Sequence, residues 1–219
     1  MKYFQKNMLV SAVAASMVLG ASMANANLIT NGGFEAPEIS DGTWEHEPNI
    51  YVPGWEGSNV EIWRNLQGRN AYEGEQFAEL NSHPDSSPYD TFTLFQSFNT
   101  DVGQWYDFSF AYKARNNDQE SFWFEVGSAF DPSQESSTDD SQGWLIDDHT
   151  TGGWSIFEGR FQAETDLSQI TFLSQSPEGT EGNFLDDVNV VASVPEPGSL
   201  ALLGLGLAGL GLSRRRQQK

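Results

Sequence analysis

Twice between Tyr106 and Val126, apolar side chains fall on every second residue. Tyr106, Phe108, Phe110 and Tyr112 alternate with Asp107, Ser109, Ala111 and Lys113, and Phe122, Phe124 and Val126 alternate with Ser121, Trp123 and Glu125. Successive side chains of a strand point to opposite faces, so this period commits both stretches to strands with one face on a core. Further strands are predicted at Leu28 to Thr30, Val60 to Arg64, Gln76 to Leu80, Thr93 to Phe98, Trp154 to Phe161, Ile170 to Ser174 and Phe184 to Val191. Turn glycines such as Gly54, Gly74, Gly103, Gly127 and Gly182 separate them, and no stretch of residues 27–193 sustains a helical period. About nine short strands without helices predict an all-β fold, two antiparallel sheets packed as a β-sandwich. Asp131 to Gly143, rich in Ser, Asp and Gln, reads as a mobile surface loop.

Charge narrows the partners. Of the 31 acids only Glu196 lies outside residues 27–193, and six of the eleven bases do. That leaves 30 acids against Arg64, Arg69, Lys113, Arg115 and Arg160, a net charge of −25 on this part of the chain. Such a charge repels phosphate backbones and excludes nucleic acid as a partner. It is equally compatible with divalent-cation binding and with life in salty water. The chain has no cysteine, so no disulfide staples the fold, and stability rests on core packing with or without a metal ion.

The two ends read as addresses. Lys2 and Lys6, the apolar run Met8 to Ser22 and the small-x-small triplet Ala24-Asn25-Ala26 form a secretory signal peptide over residues 1–26. Signal peptidase would cut after Ala26, and the β-sandwich would occupy residues 27–193. At the other end, Val194, Pro195, Glu196 and Pro197 open an extended segment (194–199), Leu200 to Leu212 contains only Leu, Ala and Gly, and Arg214, Arg215 and Arg216 dominate a basic end (213–219). Prolines remove backbone donors and keep the first part accessible to a protease. A helix over 200–212 would be roughly 20 Å long, short for a bilayer core of about 30 Å. It would enter the inner membrane transiently, with the arginines on the cytoplasmic side and the bulk of the chain outside. A plain tail anchor with a proline hinge would look much the same.

The whole of 194–219, with its Val194-Pro195-Glu196-Pro197, Gly/Leu helix and triple arginine, resembles the PEP-CTERM sorting tail of Gram-negative bacteria that make exopolysaccharide. That resemblance implies processing near the Pro-Glu-Pro by an exosortase-type enzyme, then release or re-attachment at the cell surface or in the extracellular matrix.

A second resemblance spans most of residues 27–191. Asn27-Leu-Ile-Thr-Asn-Gly-Gly-Phe-Glu35, the Pro53-Gly54-Trp55 turn, Gly74-Glu-Gln-Phe-Ala-Glu-Leu80 and Phe184-Leu-Asp-Asp-Val-Asn-Val190 look like a galactose-binding-like jelly roll, a form common among secreted carbohydrate-binding modules. It implies a structural calcium ion held by the Gly33 carbonyl, Glu35 and Asp186, with Glu73 or Glu75 a weaker third acid. Alternation from Phe184 selects Asp186 over Asp187 as the inward acid, on the side of Val188 and Val190, where a buried carboxylate needs a partner. Backbone hydrogen bonds in a turn would satisfy Asp186 equally well.

A glycan face should carry aromatics at outward positions. Trp63, in phase with Glu61, and Trp123, in phase with Ser121 and Glu125, meet that condition, and Arg64, Arg115 and Asn116 could bond sugar hydroxyls. Trp44, Trp55, Trp144 and Trp154 sit near turns and read as structural. His46, His83 and His149 stand alone and read as solvated, and no catalytic motif is present. The sequence therefore predicts no enzyme but an exported, calcium-stabilised jelly roll that binds exopolysaccharide. The alternatives are a structural matrix or biofilm component without a glycan site and, less favoured, a glycosidase.

Overall fold

The computed structural model describes residues 26–47, 51–82, 92–129 and 141–193. The signal segment up to residue 25, the sorting tail, His83 and residues 131–140 of the expected loop lie outside the described residues. Asn25–Ser193 forms one compact unit. Among the described residues no helix is long and apolar enough to cross a membrane.

The described residues form eleven strands: β1 Thr43–Glu47, β2 Glu56–Gly57, β3 Val60–Arg64, β4 Gln76–Glu79, β5 Thr93–Asn99, β6 Trp105–Lys113, β7 Ser121–Ser128, β8 Gln142–Ile146, β9 Ser155–Gln162, β10 Leu167–Ser176 and β11 Phe184–Ala192. They make a six-stranded sheet, β1-β3-β4-β11-β6-β9, and a five-stranded sheet, β2-β5-β10-β7-β8. Every pairing is antiparallel. The architecture is the jelly-roll sandwich.

Alternation places the core as expected. Tyr106, Phe108, Phe110 and Tyr112 of β6 point between the sheets and meet Phe122 and Phe124 of β7 and Phe172 of β10. Phe110 has four aromatic neighbours with ring centroids 4.7 to 5.9 Å away, at Phe122, Phe124, Phe157 and Phe172. Each buried ring of this kind contributes roughly 1.5–3 kcal/mol of transfer free energy. Leu28 to Thr30 is not a strand: this stretch follows β11 through Leu28 N–H to the Val190 carbonyl at 2.8 Å and through the Asn27 side chain. Gln142 and Gly143, expected in the loop, belong to β8.

One bulge reorganises the closing strand. Phe184 and Asp186 pair with Lys113 and Ala111, after which the register slips and Asn189 pairs with Ser109. Asp187, at φ 47°, takes the left-handed conformation that inserts the extra residue. Before the slip Leu185 faces the core, while Phe184 joins Trp63 and Phe77 in a separate cluster. After it, Val188 and Val190 face the core. Asp186 is therefore buried on the outer side of the sheet with Phe184, not on the side of Val188 and Val190 as simple alternation implies.

Candidate functional site

Parity puts Trp63 and Glu61 of β3, Phe77 and Glu79 of β4, Phe184 and Asp186 of β11 and Lys113 of β6 on the outer face of the six-stranded sheet. Aromatic rings run across this face in contact. Trp44 stacks on Trp63 at 6.3 Å, Trp63 on Phe77 at 6.2 Å, and Trp154 meets Phe77 edge-on at 5.5 Å and Tyr72 at 6.4 Å. Trp63 itself is only 2% exposed, which corrects the expectation of an open platform. The Arg115 guanidinium lies 4.9 Å from its ring centre and that of Arg69 5.7 Å away. The accessible rings are the ends of the series, Trp44 at 41% and Tyr72 at 42% exposure. Trp44, expected to be structural, is thus a surface ring on this face.

Arg115 is held from below. Its Nη1 donates to both carboxylate oxygens of Glu79 at 2.7 Å, and Nη2 lies 3.4 Å from Glu181. Glu79 is fully buried and also accepts the Gly182 N–H at 2.6 Å. Burial pushes its carboxyl upward, against the pull of Arg115 and that N–H. Above the pair opens a groove of about 450 Å³, lined by Gln67, Arg69, Lys113, Arg115, Asn116 and Thr151 among others.

Two proposed members of the glycan face are elsewhere. Arg64 ends β3 in ion pairs with Glu38 and Glu75 and a 2.8 Å bond to the Ile39 carbonyl, so its Nη groups are engaged elsewhere, while its buried Nε has no acceptor among the described residues. Trp123 lies on the outer face of the other sheet, over Gly143, and its Nε1 donates to Glu125 at 2.6 Å. A residue with a Cβ at Gly143 would meet the indole at 2.9 Å. Trp63, Arg115 and Asn116 are brought together; Arg64 and Trp123 do not join them. Arg69 and Lys113 are the residues sequence reasoning missed.

The residues proposed for calcium do meet, near the start of β11. A Cβ on Gly33 would lie 3.8 Å from Asp186 Oδ1 and 3.9 Å from Glu35 Cγ. Asp186, 0% exposed, accepts N–H groups from Tyr72, Glu73 and Asp187 at 2.8, 3.1 and 2.7 Å. Burial pushes it up to about 7, although the three N–H donors oppose that. Glu35 Oε1 accepts from Glu75 and Gln76 N–H at 2.7 and 3.0 Å and rests against Gly74, whose φ of +66° and absent side chain leave the carboxylate its space. The Glu73 carboxyl is raised by its hydrogen bond to Asp187 and by the charges of Asp187 and Glu35. The hard-oxygen donor set suits calcium. Among the described residues no group of three or more acidic or histidine side chains is arranged to hold a metal ion, because Asp186 and Glu35 turn toward backbone N–H groups.

His149 is buried rather than solvated, edge-on to Tyr112 at 5.0 Å and Phe122 at 5.2 Å. Burial lowers its pKa to about 4, against the pull of Glu120, Asp148 and Asp147.

Residues 193–216 match the family described as the PEP-CTERM protein-sorting motif. The chain is thus an exported, membrane-transiting protein addressed to the cell surface. No curated protein matches it in sequence. Among solved structures, an α-L-arabinofuranosidase, MgGH51, shares the fold at a TM-score of 0.50 and 9% identity, over 78% of this chain and 27% of that one. Also similar are TmCBM61 in complex with β-1,4-galactotriose (TM-score 0.46, 16% identity, 77% and 99% of the two chains) and a xylan-binding domain from Paenibacillus barcinonensis Xyn10C (0.42, 14%, 78% and 97%).

Proposed function

We propose that this protein is a non-catalytic polysaccharide-binding protein of the surface or matrix of a Gram-negative bacterium, acting on its host's own exopolysaccharide. The observation that carries the reading is the ring series ending in exposed Trp44 and Tyr72, with a groove of about 450 Å³ on the same face. Sugar rings stack their C–H faces on indole and phenol, and amide and guanidinium donors read their hydroxyls. An exosortase-type enzyme would process the tail and leave this face outside the cell. The test is affinity electrophoresis of the full chain through gels containing neutral or acidic polysaccharides. Retardation supports the reading; unchanged migration in every gel sinks it in favour of a structural matrix component that adds charge and bulk.

We also propose a structural calcium ion beside Gly33, Glu35 and Asp186, with Glu73 turning inward. What supports it is the approach of Glu35 and Asp186 to Gly33 and the repulsion of Glu73 by Asp187 and Glu35; to bind the ion, Glu35 and Asp186 would have to turn from the backbone N–H groups they now accept. Calcium at about a hundred times its Kd should add about 2.7 kcal/mol, a Tm rise of roughly 5–10 °C for a domain this size. Asp186→Asn should remove the rise. An equal Tm in calcium and in chelator would refute the site.

A further inference from the structure

The groove above Trp63 is an electrostatic exception in this molecule. Residues 27–193 carry five cations among 30 acids, yet three of the five line this one groove and, among the described residues, no carboxylate does. They come from separate stretches: Arg69 from the turn after β3, Lys113 from the last position of β6, Arg115 from the loop beyond it. Arg115 is balanced by Glu79 and Glu181. Arg69 and Lys113 make no ion pair among the described residues; Arg69 rests on Gln67 Oε1 at 2.8 Å and on the Trp63 ring. Arg115 Nε and Trp63 Nε1, both buried, also lack an acceptor among the described residues. The charge left for a ligand is therefore that of Arg69 and Lys113, since Glu181 also accepts from Asn116 Nδ2 at 3.0 Å.

We propose that this groove takes an acidic sugar, whose carboxylate or sulfate ester docks between Arg69 and Lys113 while its hydroxyls meet Gln67, Asn116 and Thr151. The inference rests on the polysaccharide reading above and specifies the charge of the ligand. Guanidinium presents a planar fork that matches a carboxylate or a sulfate, and the ammonium adds a point charge beside it. The net charge of −25 does not forbid this. At 0.15 M ionic strength charges beyond about 8 Å are screened, so distant acids fade while the contact pairs persist. The same argument gives a salt signature opposite to that of a basic glycan binder: affinity holds or rises between about 0.01 M and 0.15 M salt.

The experiment measures binding of immobilised full chain to polygalacturonate, dextran sulfate and neutral galactan in chelator, so that no divalent ion bridges carboxylates. An acidic polymer should bind on the order of tenfold tighter than galactan. The winning acidic arm distinguishes carboxylate from sulfate. Arg69→Gln and Lys113→Gln, both at half-buried surface positions, should each erase most of that preference, while Arg160→Gln outside the groove should not. Equal affinity for neutral and acidic polymers overturns the inference and leaves the polysaccharide reading intact. An acidic preference that survives the Arg69→Gln/Lys113→Gln double variant overturns the site. Binding to no polymer overturns both. Self-association lost in the double variant, without polymer binding, assigns the groove to a second copy of the chain and likewise overturns it.

Discussion

The outer faces of the two sheets solve the same problem differently. On the five-stranded sheet the buried polar groups are neutral and satisfied by close neighbours: Ser97 donates to Gln169 and Gln169 to Thr171, at 3.1 Å each. On the six-stranded sheet Glu79 and Asp186 are both fully buried, and most of their partners lie in loops outside the strands, at Arg115, Gly182, Tyr72 and Glu73. Glu79 has a cation, Arg115; Asp186 has only backbone N–H groups. Burying charge is expensive unless it is paired. The face that carries this cost is the one where aromatic rings, cations and a groove converge, and that is where a ligand reading belongs.

The largest expected difference between the faces is in stability. Arg115→Gln leaves Glu79 buried without its cation and should cost about 3–5 kcal/mol in urea unfolding. Adding Glu79→Gln should recover much of it, because the buried charge is then gone. If the single and double variants lose the same amount, the ion pair is not what holds this face.

Next in size is a pH effect set by burial between the faces. His149 packs on Tyr112 and Phe122, with Glu120, Asp147 and Asp148 nearby. Its folded pKa lies below the unfolded value of 6.5, so its contribution is present above pH 6.5 and is lost as pH falls through about 4. The full span corresponds to roughly 3 kcal/mol. His149→Phe should flatten the acid limb of the stability curve; parallel curves for variant and wild type would rule out this residue as the cause. Smallest is Thr171→Val on the five-stranded sheet, which strands one donor of Gln169 and should cost about 1 kcal/mol in the same assay.

The contrast between the faces also marks how far the sequence could be read. Eight of the nine expected strands are present because β6, β7 and their neighbours each bury one face, and burial imposes the period-two pattern. Thr43–Glu47 escaped because this edge strand buries no side chain and has no apolar period to show. The bulge at Asp187 escaped because Asp tolerates positive φ and nothing in Phe184-Leu-Asp-Asp-Val signals the slip. At the site, alternation correctly turned Trp63 outward. It could not reveal that Arg69 and Arg115 would cover the ring, since both reach it from loops whose approach depends on the packed strand order. The same topology separates Trp63 from Trp123 by the full thickness of the sandwich.

The central claim, that ligand binding belongs to the outer face of the six-stranded sheet, is tested most directly by comparing Trp44→Ala, Tyr72→Ala and Trp123→Ala full chains. Affinity electrophoresis is run through a polysaccharide gel that retards the wild type. The account predicts that Trp44→Ala or Tyr72→Ala weakens retardation, by roughly 1 kcal/mol or more for a lost stacking ring, while Trp123→Ala migrates like the wild type. Loss of retardation in Trp123→Ala alone would move the site to the opposite face and contradict the account.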